Sequence, residues 1–156
     1  MSTSQRVHTY DSHLVWEGST GDGVRTYDRG HRVVTPPART EVLLSADPHF
    51  RGDAERMNPE QLVVAAASSC QLLSFLGAAA RAGVDVVAYE DEARGVMPED
   101  DPPMRLTGIH LTPTITVANG TDVEHVQRLV AAAHDQCYIA RSLRTGVTIQ
   151  ATVIER

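Results

Sequence analysis

The stretch Asn58–Gly83, NPEQLVVAAASSCQLLSFLGAAARAG, constrains the fold of this chain more than any other. Asn58 suits a helix cap, Pro59 suits the first helical position, and Gln61 stands three residues after the cap, as a capping box requires. Gly83 supplies the left-handed stop. Between these ends Leu62, Val63, Val64, Leu72, Leu73, Phe75 and Leu76 spread around the cylinder, with alanines in the gaps. A helix apolar on nearly every side belongs in an interior. At about 1.5 Å per residue it runs nearly 40 Å. One small domain does not cover that length, so the pattern predicts a second chain packed against it. Cys70 sits at its middle and Glu60 at its start.

The remaining features fit one soluble domain of 156 residues, with a meander over residues 1–57, the central helix over 58–83, and sheet plus helices over 84–156. Gln61, Ser68, Ser69, Gln71 and Ser74 interrupt the apolar run before it reaches the roughly 18 residues that mark a bilayer span. The first residues, MSTSQRVHTYDSH, carry no apolar signal region, and the expected location is cytoplasmic. The net charge is −6 and every basic residue is arginine, with no basic cluster, which argues against a nucleic-acid surface. Any cation that serves chemistry here is a permanently charged fork. The seven histidines are scattered, and neither HExxH nor CxxC spacing occurs, so no metal is expected.

Taken in order, His13 to about Thr20 reads as a strand containing Trp16, and Gly18, Gly21, Asp22 and Gly23 turn the chain. Val24–Val34 reads as a second strand and Thr40–Ser45 as a third. A polar loop, ADPHFRGDAERM, leads into the helix. After Gly83 the alternation at Val84, Val86 and Ala88 predicts a strand toward Met97. Met104–Ala118 reads as one long strand in which Pro113 marks an edge position or a bulge. Thr121 with Glu124 forms a second capping box, opening a helix that breaks around His134–Gln136. Cys137–Leu143 reads as a short helix, and VTIQATVIE, Val147–Glu155, as the closing strand. The order β-β-β-α-β-β-α-α-β is α+β with largely antiparallel sheet.

Two cysteines, Cys70 and Cys137, are 67 positions apart. Cys70 on its own is either a small packed hydrophobe or a nucleophile. Cys137 stands at the start of a short helix, where unpaired N–H groups favour a thiolate, and a second such thiol points to a redox pair. Glu60 either interacts with the helix dipole or serves a site. About 15 Å of helix separates it from Cys70, so the two cooperate only if Glu60 comes from a partner chain or the helix bends sharply. His134 either tunes Cys137 or simply ends the helix.

NPEQLVVAAASSC, followed at a distance by AHDQCYIARSL and preceded by HLVWEGSTG, resembles the OsmC/Ohr family of organic hydroperoxide reductases. The resemblance covers most of the chain. It implies an OsmC-like fold, with antiparallel sheets around a long central buried helix, in an intertwined homodimer with active sites at the interface. It implies that Cys70 is the peroxidatic sulfur and Cys137 the resolving one. Glu60 would pair with an arginine that lowers the thiolate's pKa and steers the peroxide. Arg51 in HFRGD matches one version of that pattern, and Arg25 or Arg29 in VRTYDRGH another, with Arg51 preferred and Arg29 next. The implied substrate is an organic hydroperoxide, reduced without metal, flavin or haem. The implied electron donor is an external dithiol of the lipoyl type. Many members follow the second cysteine with proline and valine, where this chain has Tyr138 and Ile139. A non-catalytic dimer that binds an apolar ligand in the same interface pocket is the alternative.

Overall fold

In a computed structural model that describes residues 6–156, these residues divide into two compact units, 6–59 and 60–156. The first is a three-stranded antiparallel sheet of β1 (His13–Val15), β2 (His31–Val34) and β3 (Glu41–Leu44). Its strands are shorter than the alternation predicts. The Trp16 indole N–H donates to the Asp28 carbonyl at 2.8 Å, which takes the chain out of the ladder directly after Val15. The Arg29 guanidinium donates to the carbonyls of Val24 (2.7 Å) and Tyr27 (2.8 Å) and lies 3.9 Å over the Tyr27 ring. Residues 24–29 therefore form a loop closed by their own arginine instead of the first half of a strand.

The polar loop opens with a 3₁₀ turn, Pro48–Phe50, capped by the Asp47 carboxylate on the His49 N–H at 2.8 Å. Arg51 follows in the left-handed region at φ 66°. Gly52 approaches Ala46 so closely that a Cβ there would meet its carbonyl oxygen at 1.6 Å, and only glycine fits. A parallel bridge between Leu44 and Met57 then delivers the chain to the helix.

The second unit contains α1 (Pro59–Arg81), β4 (Val86–Asp91), β5 (Arg94–Val96), β6 (Gly108–Leu111), β7 (Pro113–Val117), α2 (Val123–Asp135), α3 (Tyr138–Ser142), β8 (Gly146–Ile149) and β9 (Thr152–Glu155). Gly83 ends α1 at φ 72°, and the Val84 N–H returns to the Ala79 carbonyl at 2.9 Å, as the left-handed stop requires. The cap of α2 is Asp122, whose carboxylate accepts from the His125 N–H at 3.0 Å, and not Thr121, whose hydroxyl turns back to the Ala118 carbonyl.

Each of the three long strands expected here splits in two at the same level, and the halves pair into two sheets, β4-β7-β9 and β5-β6-β8. The break is held at Thr112. Its N–H donates to Asp91 Oδ1 at 2.8 Å and its hydroxyl to the Glu92 carbonyl at 2.7 Å, while the Gln150 N–H donates to the Leu111 carbonyl at 2.9 Å. Pro113 is the buried first residue of β7, the central strand of its sheet, and not an edge residue. Its missing donor falls where the ladder is already interrupted. The pairings of β6 with β8 and β7 with β9 are parallel, because α2 and α3 carry the chain back before the last strands begin. The sheets are mixed, with antiparallel pairs β4–β7 and β5–β6 beside them.

Helix α1 runs across both sheets. Ala67 packs with Ile109 and Leu111 of β6. Phe75 and Ala79 pack with Ile115 and Val117 of β7 and with Val126, Val130 and Ala133 of α2. Its buried residues, Ala67, Gln71, Phe75 and Ala79, recur every fourth position and form a single stripe. The opposite side is uncovered, with Leu73 66% and Leu76 37% exposed. With a mean hydropathy of 1.8 in its most apolar window, α1 is long and apolar enough to cross a bilayer, contrary to the count of its polar interruptions. Two of those interruptions bond inside the fold. The Ser68 hydroxyl donates to Asp91, and Gln71 bonds across to α2.

Candidate thiol site

Two elements with different histories meet at the sulfurs. Cys70 lies half-buried at the middle of α1, where the helix passes from one sheet to the other. Cys137 lies between α2 and α3 as the cap residue of α3, and is buried at 1% exposure. Both are free thiols, and each perturbs the other's ionisation.

The surroundings treat them differently. Burial pushes the Cys70 thiol up. The N–H groups of Ile139 and Tyr138, the Cys137 thiol and the Ser74 hydroxyl all donate to its sulfur and together hold it below the ordinary thiol range. Burial pushes Cys137 up, and the hydrogen bond to Cys70 and the charge there push it further. The amides of Ala140 and Ile139 act the other way without prevailing. The helix end expected to ionise Cys137 thus serves Cys70. The first amides of α3 face across to α1, whereas the cysteine on their own segment is sunk in the core. Tyr138 contributes here because it is not proline, which would have no N–H to offer.

His134 has partners other than the thiols. Its Nε2 lies 3.0 Å from the Val147 carbonyl and its Nδ1 3.3 Å from Gln71 Oε1, while Gln71 Nε2 donates to the Val130 carbonyl at 3.3 Å. Gln71 and His134 therefore brace α1, α2 and β8 against one another beside the sulfurs. Sequence reasoning passed over Gln71 as an interruption. The signal for it was a polar residue next to a cysteine inside an apolar helix.

An open groove of about 610 Å³ begins at Cys70 and follows α1 past Ser74, Gly77 and Ala78 to Arg81, with Leu129 and Ala132 of α2 on the other wall. Tyr138, 81% exposed, stands beside its thiol end. Glu60 lies in the first turn of α1. The helix is unbroken from Pro59 to Arg81, so Glu60 stays about 15 Å along the axis from Cys70 of the same chain. Of the candidate arginines in the first unit, Arg29 has its guanidinium engaged by the loop carbonyls it closes, and Arg25 is exposed in a turn. Arg51 is exposed on the braced loop, with no carboxylate partner among the described residues.

The model of the family described as OsmC-like protein matches residues 52–152, which include both cysteines and most of the second unit. The chain belongs to the OsmC-like family. Among its relatives, the Bacillus subtilis protein YmaD is 22% identical over 138 residues, covering 86% of each chain. An OsmC-like protein of Vibrio cholerae superposes with a TM-score of 0.84 at 24% identity, over 94% of this chain and 100% of that one. The organic hydroperoxide resistance protein OhrB of Bacillus subtilis superposes with a TM-score of 0.61 at 20% identity, over 94% and 98%. The α+β arrangement of a long helix against mixed sheets is thus that of OsmC-like structures.

Proposed function

We propose that this OsmC-like protein is a thiol-dependent peroxidase that reduces organic hydroperoxides through Cys70 and Cys137 as part of an oxidative-stress response. One observation carries the reading: two free thiols that perturb each other's ionisation, of which the half-exposed one is held as the better anion. The Cys70 thiolate attacks the outer peroxide oxygen, the O–O bond breaks, and the alkoxide takes a proton and leaves as the alcohol. Cys70 is then a sulfenic acid. Cys137, kept protonated until then, condenses with it; the disulfide forms and water leaves. An external dithiol of the lipoyl type returns both sulfurs to thiols and is itself oxidised to a disulfide, in keeping with a reducing cytoplasm.

The functional unit in this reading is a homodimer. The uncovered Leu73–Leu76 side of α1 supports a second copy there. The straight helix leaves Glu60 able to serve only the partner's thiol. Arg51 is the preferred guanidinium for the thiolate because the donors of Arg29 are already committed. The test is turnover of cumene or tert-butyl hydroperoxide with dihydrolipoamide as reductant. The wild-type protein consumes peroxide and Cys70→Ser does not. Equal inactivity of the two proteins across several dithiols would refute the proposal and leave an apolar-ligand-binding dimer.

A further inference from the structure

The buried stripe of α1 runs Ala67, Gln71, Phe75, Ala79, and one of its members is an amide. Gln71 is 1% exposed. A buried amide costs free energy unless both of its ends are bonded, whereas a leucine of similar size would pack against α2 without that cost. Cohesion alone therefore does not call for glutamine here. Its contacts are specific. Nε2 donates to the Val130 carbonyl and Oε1 lies against His134 Nδ1, each at 3.3 Å. The His134 ring is held from its other side by the Val147 carbonyl, 3.0 Å from Nε2.

The turn from α2 into α3 hangs on the same histidine. The His134 carbonyl accepts from the Cys137 N–H at 3.1 Å, and the Cys137 carbonyl accepts from the Arg141 N–H at 3.0 Å, which starts α3. The first amides of α3, those of Tyr138 and Ile139, donate to Cys70. These contacts close a circuit. Cys70 is joined through the chain to Gln71, Gln71 holds His134, His134 holds Cys137, and the amides after Cys137 return to Cys70. In the proposed cycle the Cys70 sulfenic acid has two fates. Cys137 condenses with it, so that the S–S bond forms, the S–O bond breaks and water leaves. Alternatively a second hydroperoxide passes an oxygen to it, giving the sulfinic acid and an alcohol, and that sulfur is lost to the cycle. The placement of Cys137 decides between them. We propose that Gln71 and His134 are positioning residues that hold Cys137 to Cys70 and so direct the sulfenic acid to the disulfide.

This inference rests on the peroxidase reading for its oxidant, and its test separates the two. The first arm uses no peroxide. In a glutathione redox buffer, the Cys70–Cys137 disulfide of Gln71→Met forms with an effective thiol concentration about tenfold below wild type, the equivalent of one net hydrogen bond. Gln71→Met keeps the length of the side chain and removes the amide. His134→Leu breaks the same contact, gives a similar loss, and carries the reading if Gln71→Met does not fold. The double variant is no worse than the more affected single one, because both act through one link. Phe75→Leu, in the same buried stripe but without a bond to His134, lowers Tm and leaves this equilibrium at the wild-type value, which a merely structural role for Gln71 would not predict. In the second arm, after cumene hydroperoxide, dimedone traps about tenfold more Cys70 sulfenic acid in Gln71→Met than in the wild-type protein. If peroxide is never consumed but the redox-buffer equilibrium shifts, the positioning role stands and the peroxidase reading falls. A wild-type equilibrium in the folded variants, an equal shift in Phe75→Leu, or losses that add in the double variant overturn the positioning role.

Discussion

Peroxide oxidation should make this protein much harder to melt. A bond between Cys70 and Cys137 closes a loop of nearly 70 residues. The chain entropy it removes from the unfolded state amounts to about 4 kcal/mol at 25 °C. Native strain normally reduces such a gain, so this figure is the upper end of what the bond contributes. For a chain of this length each kcal/mol raises Tm by about 2–4 °C, giving a rise of roughly 10–15 °C. The same stabilisation makes the disulfide about 90 mV harder to reduce than an unconstrained pair. The proposed cycle would then need a strongly reducing dithiol. The assay is scanning calorimetry before and after one equivalent of cumene hydroperoxide, with mass spectrometry confirming the loss of two hydrogens from the linked Cys70 and Cys137 peptides. Cys137→Ser, treated identically, should show no shift. An oxidised protein that melts at or below the reduced one, or peptides that never link, would refute the reasoning.

Three other outcomes follow from the same contacts. At pH 7 iodoacetamide should label Cys70 well ahead of Cys137. Labelling of Cys70 should persist below the ordinary thiol range, fading as pH falls through its lowered value; equal labelling would contradict the assigned roles. Leu73→Ser should weaken the proposed homodimer. With 66% of a side chain worth about 2 kcal/mol exposed on each of two copies, the lost burial is about 2.6 kcal/mol, or close to a hundredfold in Kd by sedimentation equilibrium, and an unchanged Kd would place the interface elsewhere. The Tyr89 hydroxyl is buried without a partner among the described residues, and burial followed by the charge of Asp91 pushes it above the usual phenol range. Tyr89→Phe should therefore stabilise the fold by about 1 kcal/mol, raising Tm by about 2–4 °C; a lower Tm would reveal a bond to this hydroxyl.

The central helix was legible to within two residues at each end, because Pro59 and Gly83 act locally and need no tertiary partner. The strands were legible as alternation but not as sheets. Period-two patterning says which side chains share a face; it does not mark where Asp91 and Thr112 intercept the ladder and turn three long strands into six short ones. Likewise, nothing in VRTYDRGH announces that Arg29 will satisfy the backbone carbonyls of its own loop.

By itself the sequence determined the inventory of the site: two cysteines, one mid-helix and one at a helix start, with a carboxylate too far along the same helix to reach the first. Only the tertiary structure decided which sulfur is the better anion. That depends on where the first amides of α3 point once α2 has turned, and they point at Cys70 and leave Cys137 in the core. Position along a chain fixes which groups a residue owns. The electric environment of a thiol is set by groups it does not own, and folding brings those to it.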